Sequence, residues 1–272
     1  MDIGLRRKGL SAVGVAISKE PEPLLKIRNL SKAFGVIQAV DHVDLDIYPA
    51  EVVGLVGDNA AGKSTFLSLL SGYHKKDTGE FYYKGKKTHF DSPRSSRLNL
   101  GIEMVYQNLS LAPDLPVWQN MYLGQEIRQY GLFNDVRKMI RQASDVLRRL
   151  NSRAQPTDLV GTLSGGEQQL VAISRALLFD RDLIIMDEPT AAISVAKITE
   201  VLHLIRDLKG HGKSVVLVSH RLEDVLTVAD RIVVFAHGKI RTILVNRNLA
   251  LQDLVHAMFG NGVTNKEDQH GQ

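Results

Sequence analysis

A glycine-rich segment at residues 57–65 combines residue types that bind phosphate groups. It fits the pattern G-x-x-x-x-G-K-[ST], in which glycines let backbone N–H groups surround phosphates. Lys63 stands where it would reach the terminal phosphates, and Ser64 stands where a hydroxyl coordinates Mg²⁺. The apolar run at 52–56 predicts a buried strand, and a helix that begins near Gly62 would point its positive dipole end at the same charge. The pattern therefore predicts a site for a nucleoside triphosphate. Its residues are Gly57, Asp58, Asn59, Ala60, Ala61, Gly62, Lys63, Ser64 and Thr65.

Two carboxylates follow a second apolar run. Residues 183–186 indicate a buried strand, and Asp187 and Glu188 come directly after it. Asp187 is suited to hold Mg²⁺ through water, and Glu188 to accept a proton from, or to orient, the water that attacks a γ-phosphate. An acidic strand-end turn before Pro189 is the ordinary alternative, and the preceding phosphate loop favours the catalytic interpretation.

A third segment, residues 163–169, joins a helix start to two adjacent glycines. Ser164 and Glu167 have the spacing of a capping box, so a well-capped helix is the simplest interpretation. Gly165 and Gly166 are costly in a helix and call for a second reason. Unpaired N–H groups at a helix N-terminus bind anions, which suits a γ-phosphate presented by another molecule.

The predicted elements that position these motifs alternate between strand and helix. Apolar runs at 183–186 and 215–218 are typical of central parallel strands, and a helix predicted over 195–208 separates them. Helical spacing also predicts one helix over 132–150. Its predicted apolar residues are Phe133, Val136, Ile140, Ala143, Leu147 and Leu150. Its opposite face is basic, either solvated or in contact with an acidic membrane surface, and carries Arg137, Lys138, Arg141, Arg148 and Arg149.

Composition narrows the class of protein. The chain has 272 residues, 44% of them apolar and 24% charged, which is ordinary for a globular protein. It has no cysteine, which excludes disulfides and thiolate metal sites. Its net charge of +4 is modest and gives no strong electrostatic argument for nucleic acid as a partner. No apolar stretch is as long as a membrane span. Residues 1–20 are interpreted as a flexible extension and residues 261–272 as a polar tail, on either side of one domain at 21–260.

Five motifs in one order resemble those of ABC transporter ATP-binding subunits over roughly residues 24–245. They are the phosphate loop, Val105-Tyr106-Gln107, Leu163-Ser164-Gly165-Gly166-Glu167, Met186-Asp187-Glu188-Pro189-Thr190 and Val218-Ser219-His220. The resemblance implies an α/β fold: a P-loop ABC ATPase core with a mixed central sheet, an antiparallel β subdomain and an inserted α-helical subdomain at about 108–178.

The resemblance also implies roles for individual residues and the cofactors ATP and Mg²⁺. Lys63, Glu188 and His220 would be catalytic, and Phe34 would stack on adenine, although a core phenylalanine is nearly as good an interpretation. Mg²⁺ would be bound by Ser64, Gln107 and Asp187. ATP would lie between the phosphate loop of one chain and residues 164–167 of a second copy, in a head-to-tail dimer. The residues of that second surface are Ser164, Gly165, Gly166 and Glu167.

Two positions depart from the family pattern. Ala60 stands where a glycine is usual, so its β-carbon would crowd the loop if the backbone angle there suits only glycine. Ser194 stands where many members carry an aspartate that couples the two sites of the dimer. Because both carboxylates, Asp187 and Glu188, are present together with Lys63 and His220, we nevertheless predict an active ATPase.

Four segments, at residues 107–117, 120–126, 165–169 and 220–225, resemble the bacterial monosaccharide importers of the ribose, xylose and fructose type. That resemblance implies a peripheral subunit on the cytoplasmic face of the inner membrane, bound to permease subunits and served indirectly by a periplasmic solute-binding protein. The sugar is not evident from the sequence, because a cassette does not contact the sugar.

Two alternative functions remain. The first is a soluble ABC ATPase, a class that usually has a coiled coil, a second cassette or basic patches. The second is a degenerate regulatory module, which would bind ATP without turnover.

Overall fold

A computed structural model describes residues 22–90, 92–129, 132–191 and 193–260. The predicted N-terminal extension and polar tail lie outside the described residues. The strands are β1 Leu25–Phe34, β2 Ile37–Ile47, β3 Val52–Gly57, β4 Thr78–Tyr83, β5 Lys86–Thr88, β6 Ile102–Val105, β7 Arg128–Gln129, β8 Phe133–Asn134, β9 Leu183–Asp187, β10 Ser214–Val218, β11 Arg231–Ala236 and β12 Lys239–Val245. The helices are α1 Lys63–Leu70, α2 Pro93–Leu100, α3 Val117–Tyr122, α4 Val136–Arg149, α5 Gly165–Leu177, α6 Val195–Gly210, α7 Leu222–Val228 and α8 Leu251–Phe259, with a 3₁₀ turn at Val160–Thr162.

A six-stranded mixed sheet forms the centre of the fold, in the order β12-β11-β3-β10-β9-β6. All neighbours are parallel except β12, which runs antiparallel to β11. The strands β3, β9 and β10 are buried throughout, as expected of apolar runs covered on both faces. A four-stranded antiparallel sheet, in the order β2-β1-β4-β5, shares one apolar core with one face of the central sheet.

A separate apolar cluster lies among α3, α4 and α5. Met121 and Tyr122 of α3 pack there with Met139 and Leu147 of α4 and with Val171 of α5. Because α5 also contributes Leu170 and Ile173 to the core beneath the central sheet, one helix spans both clusters.

The prediction of one helix over 132–150 is wrong at its N-terminal end. Residues 133–134 form β8, which pairs with β7, and the helix begins at Val136. Asp135 ends the extended segment because its carboxylate accepts a hydrogen bond from the backbone N–H of Lys138.

The apolar face predicted for this helix also needs correction. Phe133 and Val136 are exposed, by 72% and 39%. Of the predicted face, Ala143, Leu147 and Leu150 are buried, and Met139 and Val146 complete it. The basic side chains lie on the exposed side. Among the described residues, no helix is both long and apolar enough to span a membrane.

Sheet register brings the sequence motifs to one edge. In parallel strands the carboxyl ends lie on the same side, and ligands of open α/β sheets bind there. β3 ends at Gly57, β9 at Asp187 and β10 two residues before His220. β6 ends two residues before Gln107. Motifs separated by up to 163 residues of sequence (57 to 220) therefore converge because four strands stop together.

Candidate nucleotide site

A cleft of about 730 Å³ opens at the carboxyl ends of these strands. Most of the residues predicted to contact nucleotide or Mg²⁺ line it together. They are Phe34, Asn59, Ala60, Ala61, Gly62, Lys63, Ser64, Thr65, Gln107, Asp187, Glu188 and His220. The walls thus combine backbone N–H groups and a cation on one side with two carboxylates and an imidazole on the other.

Two glycines fix the shape of the phosphate loop. Gly57 has φ +150° and Gly62 has φ +102°, so both are in conformations that side chains rarely adopt. A β-carbon on Gly57 would lie 2.2 Å from the carbonyl oxygen of Phe235, and one on Gly62 would lie 2.2 Å from that of Ala39. The loop therefore folds this tightly only with glycine at both positions. Lys63 begins α1 immediately after Gly62, as the sequence predicts.

The Lys63 ammonium is held at the base of the loop. Its Nζ donates to the carbonyl oxygens of Gly57, at 2.7 Å, and Asp58, at 2.9 Å. Burial lowers the pKa of Lys63, and the carboxylates of Glu188, Asp187 and Asp58 partly offset this change. The Lys63 ammonium is therefore oriented by two loop carbonyl oxygens and lies in the field of three carboxylates.

Ala60, at the position where the family usually carries glycine, adopts the left-handed conformation. Its φ is +65°, in a region that costs an L-residue about 1–2 kcal/mol. The loop therefore holds a non-glycine residue in a conformation that glycine adopts at lower cost. Ala60 itself is exposed, and its methyl group points into the cleft or solvent without being enclosed.

Ala60→Gly is expected to raise the free energy of unfolding by up to about 1 kcal/mol. Relief of the left-handed strain outweighs the extra freedom of glycine in the unfolded chain, which costs about 0.5–1 kcal/mol. Chemical denaturation measures the change. Ala50→Gly is the matched control, because Ala50 also has a positive φ of +55° but does not line the cleft. A loss of stability in Ala60→Gly alone would show that the methyl group makes contacts worth more than the strain.

Glu188 lies at the end of β9 in a strained backbone conformation. Its φ is +53°, and it precedes a proline, a second restriction on the same residue. Its N–H donates to the carbonyl oxygen of Val218 at 3.0 Å. The backbone N–H of His220 donates to Glu188 Oε2 at 3.2 Å, and His220 Nε2 lies 3.4 Å from Oε1. Glu188 and His220 are thus held as a pair by two strand ends.

The two carboxylates are buried at 6–7% exposure. Burial raises the pKa of Asp187, and Lys63 and His220 partly offset the effect. Burial also raises the pKa of Glu188, with partial compensation from the hydrogen bond and charge of His220. Glu188 Oε1 is buried and accepts no well-aligned hydrogen bond among the described residues, although His220 Nε2 lies 3.4 Å from it.

Phe34 lies at the rim of the cleft and is 43% exposed. Its ring meets that of His74 edge-on, with centroids 5.2 Å apart, and Lys32 Nζ lies 5.4 Å from its centroid. Phe34 is therefore not a core residue, which was the alternative interpretation, and its exposed surface is free for a planar ligand.

Residues 164–167 do not line this cleft. They begin α5, where the Ser164 hydroxyl accepts from the backbone N–H of Glu167 at 3.3 Å, as predicted. The second half of the capping box is replaced, because the Glu167 carboxylate accepts from the Ser152 hydroxyl instead. A β-carbon on Gly165 would meet no atom within 4 Å. The helix start is therefore an open surface in a single chain.

Sequence reasoning missed the residues that brace the outside of the loop. Gln38 and Ala39 of β2 and His237 and Gly238 of the β11–β12 turn also line the cleft. Gly238 N–H donates to the carbonyl oxygen of Ala61 at 2.9 Å. His237-Gly238 can be identified in sequence as a turn between two strands, but no local signal places it against the phosphate loop.

The comparison with family models decides the assignment. The model described as ABC transporter matches residues 40–191, more than half of the chain. The chain belongs to this family. The predicted fold class is confirmed, since the cassette has the mixed central sheet and the antiparallel sheet, and solved cassettes match most of the chain.

Curated relatives of this cassette cover most of its length. It is 44% identical to the xylose/arabinose import ATP-binding protein of Sulfolobus acidocaldarius over 80% of this chain and 86% of that protein. It is 39% identical to the fructose import ATP-binding protein of Rhizobium meliloti, over 88% and 95% of the two chains. It is 41% identical to a ribose import ATP-binding protein of Rubrobacter xylanophilus over 90% of its own length, but spans only 49% of that protein.

Solved structures of cassettes superpose on most of the chain. A nucleotide-free ATP-binding cassette from an ABC transporter matches with a TM-score of 0.74 at 25% identity, over 84% of this chain and 93% of that one. A dimeric cassette in a post-hydrolysis state with ADP and Pi bound also matches with a TM-score of 0.74, at 27% identity, over 83% and 100% of the two chains.

Proposed function

We propose that this cassette is the ATP-hydrolysing subunit of an importer of monosaccharides. The observation that carries the proposal is the cleft in which Lys63, Asp187, Glu188 and His220 meet. The branch of the family is supported by 44% and 39% identity to cassettes named for import of xylose/arabinose and of fructose, across 86% and 95% of their lengths.

The chain works as a head-to-tail pair in this proposal. Residues 164–167 lie outside the cleft of their own chain, and their exposed helix start would contact the γ-phosphate bound by a second copy. The similarity to a dimeric cassette that holds ADP and Pi supports this arrangement.

Each side chain in the cleft has a distinct role in hydrolysis. Lys63 neutralises charge on the terminal phosphates, since its ammonium lies at the base of the loop. Glu188, whose carboxylate lies on the cleft, orients the attacking water and accepts its proton. His220 fixes the Glu188 carboxylate and contacts the γ-phosphate. Phe34 stacks on the base from the rim of the cleft.

The residues present fit Mg²⁺. Ser64, Gln107 and Asp187 supply a hydroxyl, an amide and a carboxylate on the same cleft, and hard oxygen ligands of this kind are those that Mg²⁺ prefers. Few protein ligands suffice, because Mg²⁺ in such sites keeps several waters and binds phosphate oxygens. When bound, the ion would neutralise charge that develops on the phosphates.

ATP turnover is expected to fall on the acid side at a higher pH than an ordinary glutamate would give. Burial raises the pKa of Glu188, so its protonated and inactive fraction at a given acidic pH is larger than that of an exposed carboxyl. A pH profile of kcat measures this limb. If kcat fell only in the pH range where an ordinary glutamate titrates, the assignment of Glu188 as the base would be contradicted. Nucleotide binding measured over the same pH range separates a loss of turnover from a loss of affinity.

The partners follow from the proposed function. Permease subunits would bind the cassette and place it on the cytoplasmic face of the membrane. The same permease subunits would receive solute from a periplasmic binding protein.

We assign residues 108–178 as the helical subdomain next to the permease, because α3, α4 and α5 share an apolar cluster of their own and Gln107 directly precedes this segment. Residues 21–260 form the one ATP-binding domain in this proposal.

Uptake of labelled sugars tests the function. A strain deleted for this gene is complemented with wild type, with Glu188→Gln or with the surface control Glu200→Gln, and a panel of pentoses and hexoses is measured. Loss of one sugar's uptake, restored by wild type and Glu200→Gln but not by Glu188→Gln, supports the importer. If no sugar responds while the purified protein hydrolyses ATP, the importer branch is wrong and the ATPase assignment stands.

One observation favours a second candidate, a regulatory module that binds ATP without hydrolysing it. Ser194 caps α6 without a side-chain hydrogen bond, at the position where many family members carry an aspartate. This candidate predicts nucleotide binding with negligible magnesium-dependent turnover by the assembled complex, whereas the importer predicts both.

A further inference from the structure

A buried hydrogen bond links the two segments that carry Glu188 and His220. The Thr190 hydroxyl donates to Asp224 Oδ2 at 2.9 Å. Thr190 lies two residues after Glu188, and Asp224 lies in α7, four residues after His220. Both side chains are almost completely buried, at 3% and 4% exposure, so the bond is shielded from water.

The backbone at Glu188 needs restraint from outside its own segment. It has a positive φ before a proline, a conformation that persists only where surrounding contacts enforce it. On its N-terminal side, the Glu188 N–H is anchored to Val218 of β10. On its C-terminal side, the turn that follows Glu188 is anchored by Thr190 to α7.

The other contacts of Asp224 agree with an anchoring role. Arg221 Nε lies 3.2 Å from the same Oδ2, but its side chain is half exposed and stabilises the carboxylate only modestly. Neither Thr190 nor Asp224 lines the nucleotide cleft. The pair therefore acts on the reaction only through the segments that it joins.

We infer that Thr190 and Asp224 are positioning residues that hold the Glu188 carboxylate against His220. The inference rests on the proposed function, because it assigns these residues to the hydrolysis step at that site. Loss of the bond would let the Glu188 turn relax, while the phosphate loop, on β3 and α1, keeps its shape.

Steady-state ATP hydrolysis by the purified full chain tests the inference. Thr190→Val removes the hydroxyl and keeps the side-chain volume, and it is expected to lower kcat about ten-fold or more with KM for ATP within about two-fold. Thr190→Ser should restore most of kcat. Asp224→Leu should lower kcat about as much as Thr190→Val, since the half-exposed Arg221 contact that it also removes contributes little. The double variant should lose little more than either single one, because all three remove the Thr190–Asp224 bond.

Ser214→Ala is the control for a purely structural effect. The Ser214 hydroxyl is also buried and donates to the carbonyl oxygen of Tyr48 at 2.9 Å, at the opposite end of β10 from the cleft. This variant should lose stability in denaturation without a change in kcat. A kcat for Thr190→Val within two-fold of wild type, or a loss no larger than that of Ser214→Ala, would overturn the inference. Absence of turnover in wild type itself would instead overturn the proposed function and the inference with it.

Discussion

Glu188→Gln is expected to lower ATP turnover by about 10²–10⁴-fold while nucleotide binding persists. A general base contributes a factor of this size, and the amide keeps the shape of the side chain but accepts no proton at neutral pH. Because the Lys63 ammonium and the phosphate loop are untouched, ATP should still bind and should accumulate unhydrolysed between two copies. Phosphate release measures turnover, and size-exclusion chromatography with ATP measures the trapped dimer.

The control for this prediction is Glu200→Gln, a glutamate on α6 whose side chain is 32% exposed and lies outside the cleft. It should leave both turnover and the oligomeric state unchanged. A normal hydrolysis rate in Glu188→Gln would show that another group acts as the base. Loss of nucleotide binding in that variant would show that the carboxylate supports the phosphate loop instead.

Gly165→Leu is expected to abolish turnover while each single chain folds and binds ATP normally. A β-carbon at Gly165 meets no atom within 4 Å in its own chain, and the helix start needs no left-handed backbone there. In the pair, however, the same side chain would separate the helix N-terminus from the γ-phosphate of the second copy. A displacement of about 1 Å at a reacting centre costs about 10²-fold, so turnover should fall by at least that factor.

The matched control for this prediction is Gly210→Leu. Gly210 is also in a helix and also has open space around an added β-carbon, but it lies at the far end of α6. Both variants should unfold at similar denaturant concentrations and bind a fluorescent ATP analogue with wild-type affinity, and only Gly165→Leu should lose hydrolysis. Equal turnover in the two would contradict the head-to-tail pair.

Gly62 shows the opposite behaviour and explains why the two glycines differ. A β-carbon added at Gly62 would lie 2.2 Å from a backbone oxygen of the same chain. Gly62→Leu should therefore disrupt the phosphate loop, and with it ATP binding, already in the single chain. Gly62 is therefore required by the fold of the single chain, whereas Gly165 is required only by the contact with a second copy in the proposed pair.

The strands and the motifs were largely predictable from the sequence. Residues 52–56, 183–186 and 215–218 are continuous apolar runs, and each is a buried central strand. The prediction was less accurate at 132–150, where the helical spacing of apolar residues continues from the strand β8 into the helix α4. Phe133 and Val136 fit the helical spacing, yet Asp135 caps the helix after Phe133, and a local capping bond outweighed the periodic pattern.

The sequence by itself determined the residue types of the site and the family, because phosphate loop, carboxylate pair and helix start are each encoded within a few adjacent residues. The tertiary structure alone decided what surrounds them. It placed Ala39 and Gly238 against Gly62 and joined Thr190 to Asp224. These contacts join segments that lie far apart in the chain. They depend on the order and register of the strands, which local sequence patterns do not encode.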